Sequence, residues 1–376
     1  MRVAFYAPMK PLDSPVPSGD RQLGRLIKQA LEAAGNDVTI ASKLRSWSRH
    51  GGDEQLDIRR VCEQAAGELV ERWHGHTDRP DIWITYHLYH KAPDWIGMKV
   101  CKELDLPYIV VEASRAKKRR TGLWALGFAA ADTALLQVDA AIALHEEDAE
   151  GLAEIVPEHR LHRIAPFIDT GLFPPAPPQP SGTKHASAGP IRLVTVAMMR
   201  RGDKEKSFRI LAEALSCLTD LDWSLTIAGD GDARDDLMPL FPADRTTWLG
   251  QVSQNDLAKV YQDGDVFVWP AVNEAFGLVF LEAQAAGLPV VAGRTGGVPD
   301  VVAEGRTGYL AREGCAEGFA QALRQLLEQP DDIQTFGISA QELIAERHTL
   351  AVGTMALQNV LDEVMQAVHM NHDRPA

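Results

Sequence analysis

The sequence predicts an α/β protein of two doubly wound domains facing a central cleft. Three observations carry this. Short apolar runs alternate with helical patterns from the amino terminus to about residue 144. A proline-rich stretch at 174–190 then interrupts the pattern. Beyond it the alternation restarts and continues to about residue 368. Apolar strands separated by helices argue for parallel sheets covered on both faces. A chain of 376 residues is long enough for two cores.

The elements follow in order. Residues 2–7 form a first strand, closed by Pro8. Leu23, Ile27 and Leu31 recur at helical spacing within 22–34, and Gly35-Asn36-Asp37 stops that helix before a strand at 38–41. Strands follow at 81–86, 107–111 and 140–144, with a helix over 92–104. The six prolines between 173 and 190 exclude a helix interior or a central strand, so 174–190 reads as a linker. After it come strands at 191–197, 223–228, 246–249, 266–269 and 289–292, with helices at 208–218, 254–262 and 278–286. Helical patterns fill 316–328 and much of 333–368. The expected division is a first domain over 1–173, a second over 191–350, and a terminal helix over 351–376 that packs back on the first. The cleft is expected between the carboxyl ends of the two sheets, where ligands of open α/β sheets bind.

Composition narrows the class. Apolar residues make up 45% and charged residues 24%, which excludes a disordered, collagen-like or disulfide-stapled chain. No uncharged apolar run approaches the ~18–20 residues of a membrane span. Residues 1–8 are too short an apolar run for an export signal. The four cysteines, Cys62, Cys101, Cys217 and Cys315, are far apart in sequence, so no zinc or redox pair is expected and a reducing, cytoplasmic home is. The net charge is −14; residues 1–173 hold 22 basic and 25 acidic side chains, and the rest hold 16 and 27. This acidity disfavours nucleic acid as a partner. A phosphorylated ligand must then be met locally, by helix N-termini and a few basic residues.

The strongest chemical signal lies in 273–289. Glu274 and Glu282 would point about 80° apart on one continuous helix. Gly277 suggests instead that the helix starts there, leaving Glu274 in the loop after the strand at 266–269. Glu282 falls in a helix apolar almost all round, which is a buried helix. The residues alone leave two readings of Glu282: a ligand-binding acid, or one escaping through a polar seam with Gln284. Free N–H groups at Phe276, Gly277, Leu278 and Val279 favour an anion. Carboxylates beside such donors suit a ligand with both phosphate and hydroxyl groups.

This segment resembles the E-x7-E signature of the retaining family 4 glycosyltransferases of the GT-B fold, in which both domains are Rossmann-like. Other stretches agree in order and spacing. Gly229-Asp230-Gly231 resembles that family's G-x-G turn, and Trp248-Leu249-Gly250-Gln251-Val252 its strand-turn beside the base. Residues 293–299, with Gly296-Gly297, resemble its second glycine loop, and 164–173 the end of its first domain. The resemblance implies a nucleoside diphosphate sugar as donor substrate, with no cofactor and no metal. Glu282 would accept from the ribose hydroxyls, and Glu274 would meet the donor sugar beside the Phe276 and Gly277 backbone. Gln251 and Val252 would face the base. Arg200 and Lys204 would hold the diphosphate, with Lys206 in reserve. On the acceptor side, the Pro17-Ser18-Gly19-Asp20-Arg21 turn matches the family's glycine loop, with Gly19 and Asp20 as candidates.

One departure stands out. Many members carry a sugar-facing histidine after the strand matching 107–111, where this chain reads Val111-Glu112-Ala113-Ser114. Glu112 or Ser114 substitutes, or the contact moves to His87, His90 or His145. The run Lys117-Lys118-Arg119-Arg120 is a candidate contact for an acceptor or for the inner face of a membrane, with Trp124 nearby as anchor. The expected activity is hexose transfer with retention to a glycan, lipid-linked or small-molecule acceptor. The rival readings are a non-catalytic nucleotide-sugar binder or partner subunit, and an epimerase or phosphorylase of the same fold. A nicotinamide oxidoreductase is disfavoured, because Gly229-Asp230-Gly231 lacks the third glycine of the dinucleotide fingerprint.

Overall fold

The computed structural model describes residues 1–16, 18–175 and 189–372, so Pro17 and 176–188, most of the expected linker, lie outside the described residues. Tertiary contacts divide the chain into two units, Met1–Pro166 with the segment from Leu350 onward, and Phe167–Thr349.

The first unit runs β1 (Arg2–Tyr6), α1 (Gly19–Ala33), β2 (Asp37–Ser42), α2 (Asp53–Trp73), β3 (Ile82–Leu88), α3 (Gly97–Leu104), β4 (Tyr108–Ala113), α4 (Ala125–Gln137), β5 (Ala140–Ala143), α5 (Glu146–Ala153) and β6 (Leu161–Arg163). Two 3-10 turns, Lys117–Arg119 and Gly122–Trp124, lead into α4. The strands form one sheet in the order β2-β1-β3-β4-β5-β6, parallel throughout. Tyr6, Trp83, Trp95 and Tyr108 anchor a core between the sheet and its helices.

The second unit runs β7 (Ile191–Val196), α6 (Asp203–Ser216), β8 (Trp223–Ala228), α7 (Arg234–Leu237), β9 (Thr246–Gly250), α8 (Gln254–Gln262), β10 (Val266–Trp269), α9 (Leu278–Ala285), β11 (Val290–Arg294), α10 (Val298–Val301), β12 (Gly308–Arg312), α11 (Ala316–Leu327) and α12 (Pro330–Arg347). Its sheet order is β12-β11-β10-β7-β8-β9, again parallel. Strand order therefore reverses between β1 and β3 in the first sheet and between β7 and β10 in the second. Such switch points open a crevice at the carboxyl edge, where ligands of doubly wound sheets sit.

The last helix, α13 (Leu350–His372), packs along α1 of the first unit, burying Leu357, Val360, Leu361 and Val364. Asn36 Nδ2 donates to Gln358 Oε1 at 2.8 Å across that contact.

The structure moves several expected boundaries. The first unit closes at Pro166, ahead of the expected 173, because Ile168 N donates to His348 O and Phe173 packs on Tyr261, drawing 167–173 into the second unit. The helix expected over 92–104 starts only at Gly97. Pro93 disfavours a helical Ala92, and Asp94 Oδ1 caps the helix by accepting from the Ile96 and Gly97 N–H groups. β3 extends to Leu88, so His87 lies inside the strand and not after it.

Candidate functional site

The second sheet's switch point assembles the best-connected cluster. Lys204, in the first turn of α6, donates through Nζ to Glu274 Oε2, in the loop after β10. The same ammonium stands 5.5 Å from the ring centroid of Trp269, the last residue of β10. Ser207 Oγ accepts from Val272 N at 2.9 Å and ties the Glu274 loop to α6. Asn273 bridges further: Nδ2 donates to Asp203 at 3.0 Å, and its backbone N to Glu313 at 2.8 Å. Ala271 and Asn273 both take positive φ, 54° and 51°, in this loop. Such strain in non-glycine residues persists where the surroundings enforce it, often at functional sites.

Neighbouring glycines bring the loops close. Gly229 has φ +146° and lies so near the loop after β7 that a Cβ would sit 1.8 Å from Ala197 O. Gly296 has φ +48°, and its Cβ would sit 2.3 Å from Glu274 O. A side chain at either position would push the basic loop or the acidic loop out of place.

Each expected residue has a definite setting. Gly277, at φ +74°, is the N-cap of α9, so Leu278 opens the helix, Phe276 is buried before it and Glu274 stays in the loop. Glu282 is 3% exposed and accepts from Tyr261 OH at 2.7 Å. The polar-seam alternative fails, because Gln284 is fully buried and donates to Phe280 O and Val301 O. Arg200 is exposed in the loop after β7, where its carbonyl accepts from Glu205 N. Lys206 is instead paired with Asp203 at 3.0 Å, and no contact joins it to Glu274. Gln251 and Val252 follow β9. Trp269, Ser207, Asn273 and Glu313 were not singled out in the sequence; the only signal was the position of Trp269 at a strand end.

The first sheet's switch point holds a second polar cluster. His87 near the end of β3 and Glu112 near the end of β4 have φ +65° and +57°. Their side chains face each other, Nδ1 to Oε2 at 3.6 Å. Burial pushes His87 down, but Glu112 and then Asp20 outweigh it and hold its pKa above the usual value. Asp20, one residue into α1, takes the Lys10 ammonium, and its carbonyl accepts from Tyr86 OH at 2.8 Å. Burial opposes ionisation of Asp20, yet His87 and Lys10 hold its pKa below the usual value. Gly19 opens α1 with free space about its Cα. His145 caps α5, its ring accepting from Asp148 N. His90 lies beyond β3, against Trp124. Among the described residues no three His, Cys, Asp or Glu side chains converge as a metal-binding group. No helix there is long and apolar enough to cross a membrane.

Comparison with known proteins agrees with this layout. Residues 190–329 match the family described as glycosyl transferases group 1. The chain is 35% identical over 158 residues to sulfoquinovosyl transferase SQD2 of Arabidopsis thaliana, covering 41% of this chain and 30% of that protein. It is 33% identical over 227 residues to the D-inositol 3-phosphate glycosyltransferase of Corynebacterium diphtheriae, covering 57% and 53%. The matched region is thus about half or less of these relatives' length. Among solved structures, sucrose-phosphate synthase from Thermosynechococcus elongatus superposes with a TM-score of 0.75 at 19% identity, covering 97% of this chain and 99% of that one. Anabaena HepE in complex with UDP gives 0.72 at 15%, covering 96% and 100%. The chain therefore has the GT-B fold, and the likeness to the glycosyl transferases group 1 family extends over residues 190–329.

Proposed function

We propose that this protein is a retaining glycosyltransferase of the E-x7-E type, moving a hexose-type sugar from a nucleoside diphosphate sugar to a hydroxyl acceptor. The observation that carries this reading is the Lys204–Glu274 pair at the second switch point, flanked by the Gly229 turn. Donor-bound, Lys204 exchanges Glu274 for the diphosphate, with Arg200 beside it. Glu274 is then free to accept from the donor sugar's hydroxyls, and Glu282 serves the ribose. In the reaction the bond from the anomeric carbon to the phosphate oxygen breaks. The acceptor oxygen bonds to the same face of that carbon, and its proton passes to the departing phosphate. Arg200 and Lys204 stabilise the charge that develops on the leaving group. No carboxylate is assigned as a covalent nucleophile. For the acceptor, the residues assigned are Gly19, Asp20, His87 and Glu112.

The curated relatives named above transfer sugars, and HepE is a solved neighbour with UDP bound; both support the reading. A thermal-shift panel of UDP, GDP, ADP and TDP tests it first. A nucleotide at 100 times its Kd adds about 2.7 kcal/mol of stability. Release of nucleoside diphosphate that depends on acceptor, with the product's anomeric configuration matching the donor's by NMR, establishes retaining transfer. Binding without release makes the protein a nucleotide-sugar binder.

A further inference from the structure

Beyond His87, the first unit's carboxyl edge carries positive charge that the donor chemistry leaves unused. His90 sits in a turn closed by Ala92 N donating to Tyr89 O at 2.9 Å, and Gln55 Nε2 pins its carbonyl at 2.8 Å. The residue is only 9% exposed, yet both ring nitrogens are buried without a hydrogen-bond partner. Its ring lies edge-on to Trp124 at 5.6 Å, and Lys91 Nζ stands 5.1 Å from the centroid of the same indole. The Lys117–Arg119 turn packs against the Gly122–Trp124 turn. Arg119 Nε is also buried without a partner.

The neighbouring cations behave differently. Lys117 pairs with Glu154, and Arg115 with Asp132 and Glu154. Among the described residues no ion pair engages Lys91, Lys118 or Arg119. Burial, then Arg119, Lys91 and Lys118, push the His90 pKa down to about 4. Gathering cations around an unsatisfied buried imidazole is unfavourable unless something negative joins them.

We infer that His90, Lys91, Lys118 and Arg119 form a binding site for a phosphate-type dianion, which anchors a phosphorylated acceptor. The anchoring role rests on the proposed function; the anion site does not. Three cations and an imidazole N–H exceed what one carboxylate can use, and a guanidinium suits phosphate oxygens. Ring contacts from His87 to Tyr89 at 5.4 Å and from Tyr89 to His90 at 5.3 Å run from the site toward the His87–Glu112 pair. The phosphate is that of a soluble ester or of a lipid headgroup.

The full chain is titrated with inorganic phosphate in saturating UDP, with calorimetry for affinity and NMR for the His90 ring. The expected result is one added binding event and a His90 pKa that climbs from about 4, since a bound anion favours the imidazolium. Arg119→Ala and Lys91→Ala should each weaken phosphate at least about tenfold while UDP affinity holds. Flotation with phosphatidylglycerol and phosphatidylcholine vesicles separates the sources. Anionic vesicles displaced by phosphate identify a headgroup, and phosphate binding without vesicle binding identifies a soluble ester. A His90 pKa unmoved by phosphate, or phosphate binding indifferent to both substitutions, overturns the site. Loss of UDP binding with the His90 response intact overturns the proposed function instead.

Discussion

Glu274 and Glu282 share a short stretch of sequence but meet different physics. Glu274 is part-exposed in a loop and paired with a movable ammonium, so its carboxylate can change partners at little cost. Glu282 is enclosed and already accepts from Tyr261 OH. Glu274→Ala should therefore cost at least about 100-fold in turnover, roughly 2.7 kcal/mol of transition-state stabilisation, with nucleotide affinity nearly unchanged. Steady-state kinetics beside UDP calorimetry checks this, and near-normal turnover would refute the role. Glu282→Ala should act on binding instead, weakening UDP about tenfold. It also strands the Tyr261 hydroxyl, at about 1–3 kcal/mol of stability. Tyr261→Phe separates the two effects, because it removes the buried hydroxyl and leaves the carboxylate. UDP affinity close to wild type in Tyr261→Phe, and reduced in Glu282→Ala, fits a ribose contact. Equal losses in both would mean that Glu282 acts only through packing.

At the scale of elements, legibility follows burial. Strands β1, β3 and β10 read clearly because they are buried on both faces, and β7 and β8 because each carries a short run of buried apolar residues. The helix α9 read to within a residue for the same reason. The 21-residue α2 escaped, since only Gln55, Cys62, Ala66 and Trp73 along it are fully buried, too sparse for an apolar stripe. The edge strands β6 and β12 are only three and five residues long and carry too few buried apolar residues to stand out. The candidate site was legible where one residue type is marked by its local pattern, as with Glu274, Gly229 and Gly277. It was hidden where its geometry comes from pairing across the chain: Lys204 on Trp269, or Ser207 under Val272, requires knowing that β7 and β10 are neighbours. The Gly229 turn gives a test at this scale. Its positive φ and the 1.8 Å approach to Ala197 O leave no room for a methyl group. Gly229→Ala should cost about 2 kcal/mol or more and lower Tm by roughly 5 °C. Gly19→Ala, with nothing within 4 Å of the added carbon, should leave Tm unchanged. Similar melting for the two variants would refute the steric account.

At the scale of the molecule, the chain crosses between units more than once, since α13 follows the second unit in sequence and completes the first. The first unit's stability thus depends on residues that come after the second unit in sequence. Leu361 is fully buried in α13. Leu361→Asp forfeits about 1.5–3 kcal/mol of apolar burial and adds the larger cost of an unpaired buried carboxylate. Set against a domain's total of about 5–15 kcal/mol, that is enough to unfold a marginal first unit. The second unit's sheet, Glu274 loop and Tyr261–Glu282 bond contain no residue of α13. Calorimetry should then show the first unit's transition lowered or lost, while the second keeps its own and still shifts upward with UDP. Met355→Asp, at a position 61% exposed on the same helix, should change neither. If Leu361→Asp removed both transitions together and abolished UDP binding, the two units would fold as one cooperative body and the donor site would not stand on the second unit alone.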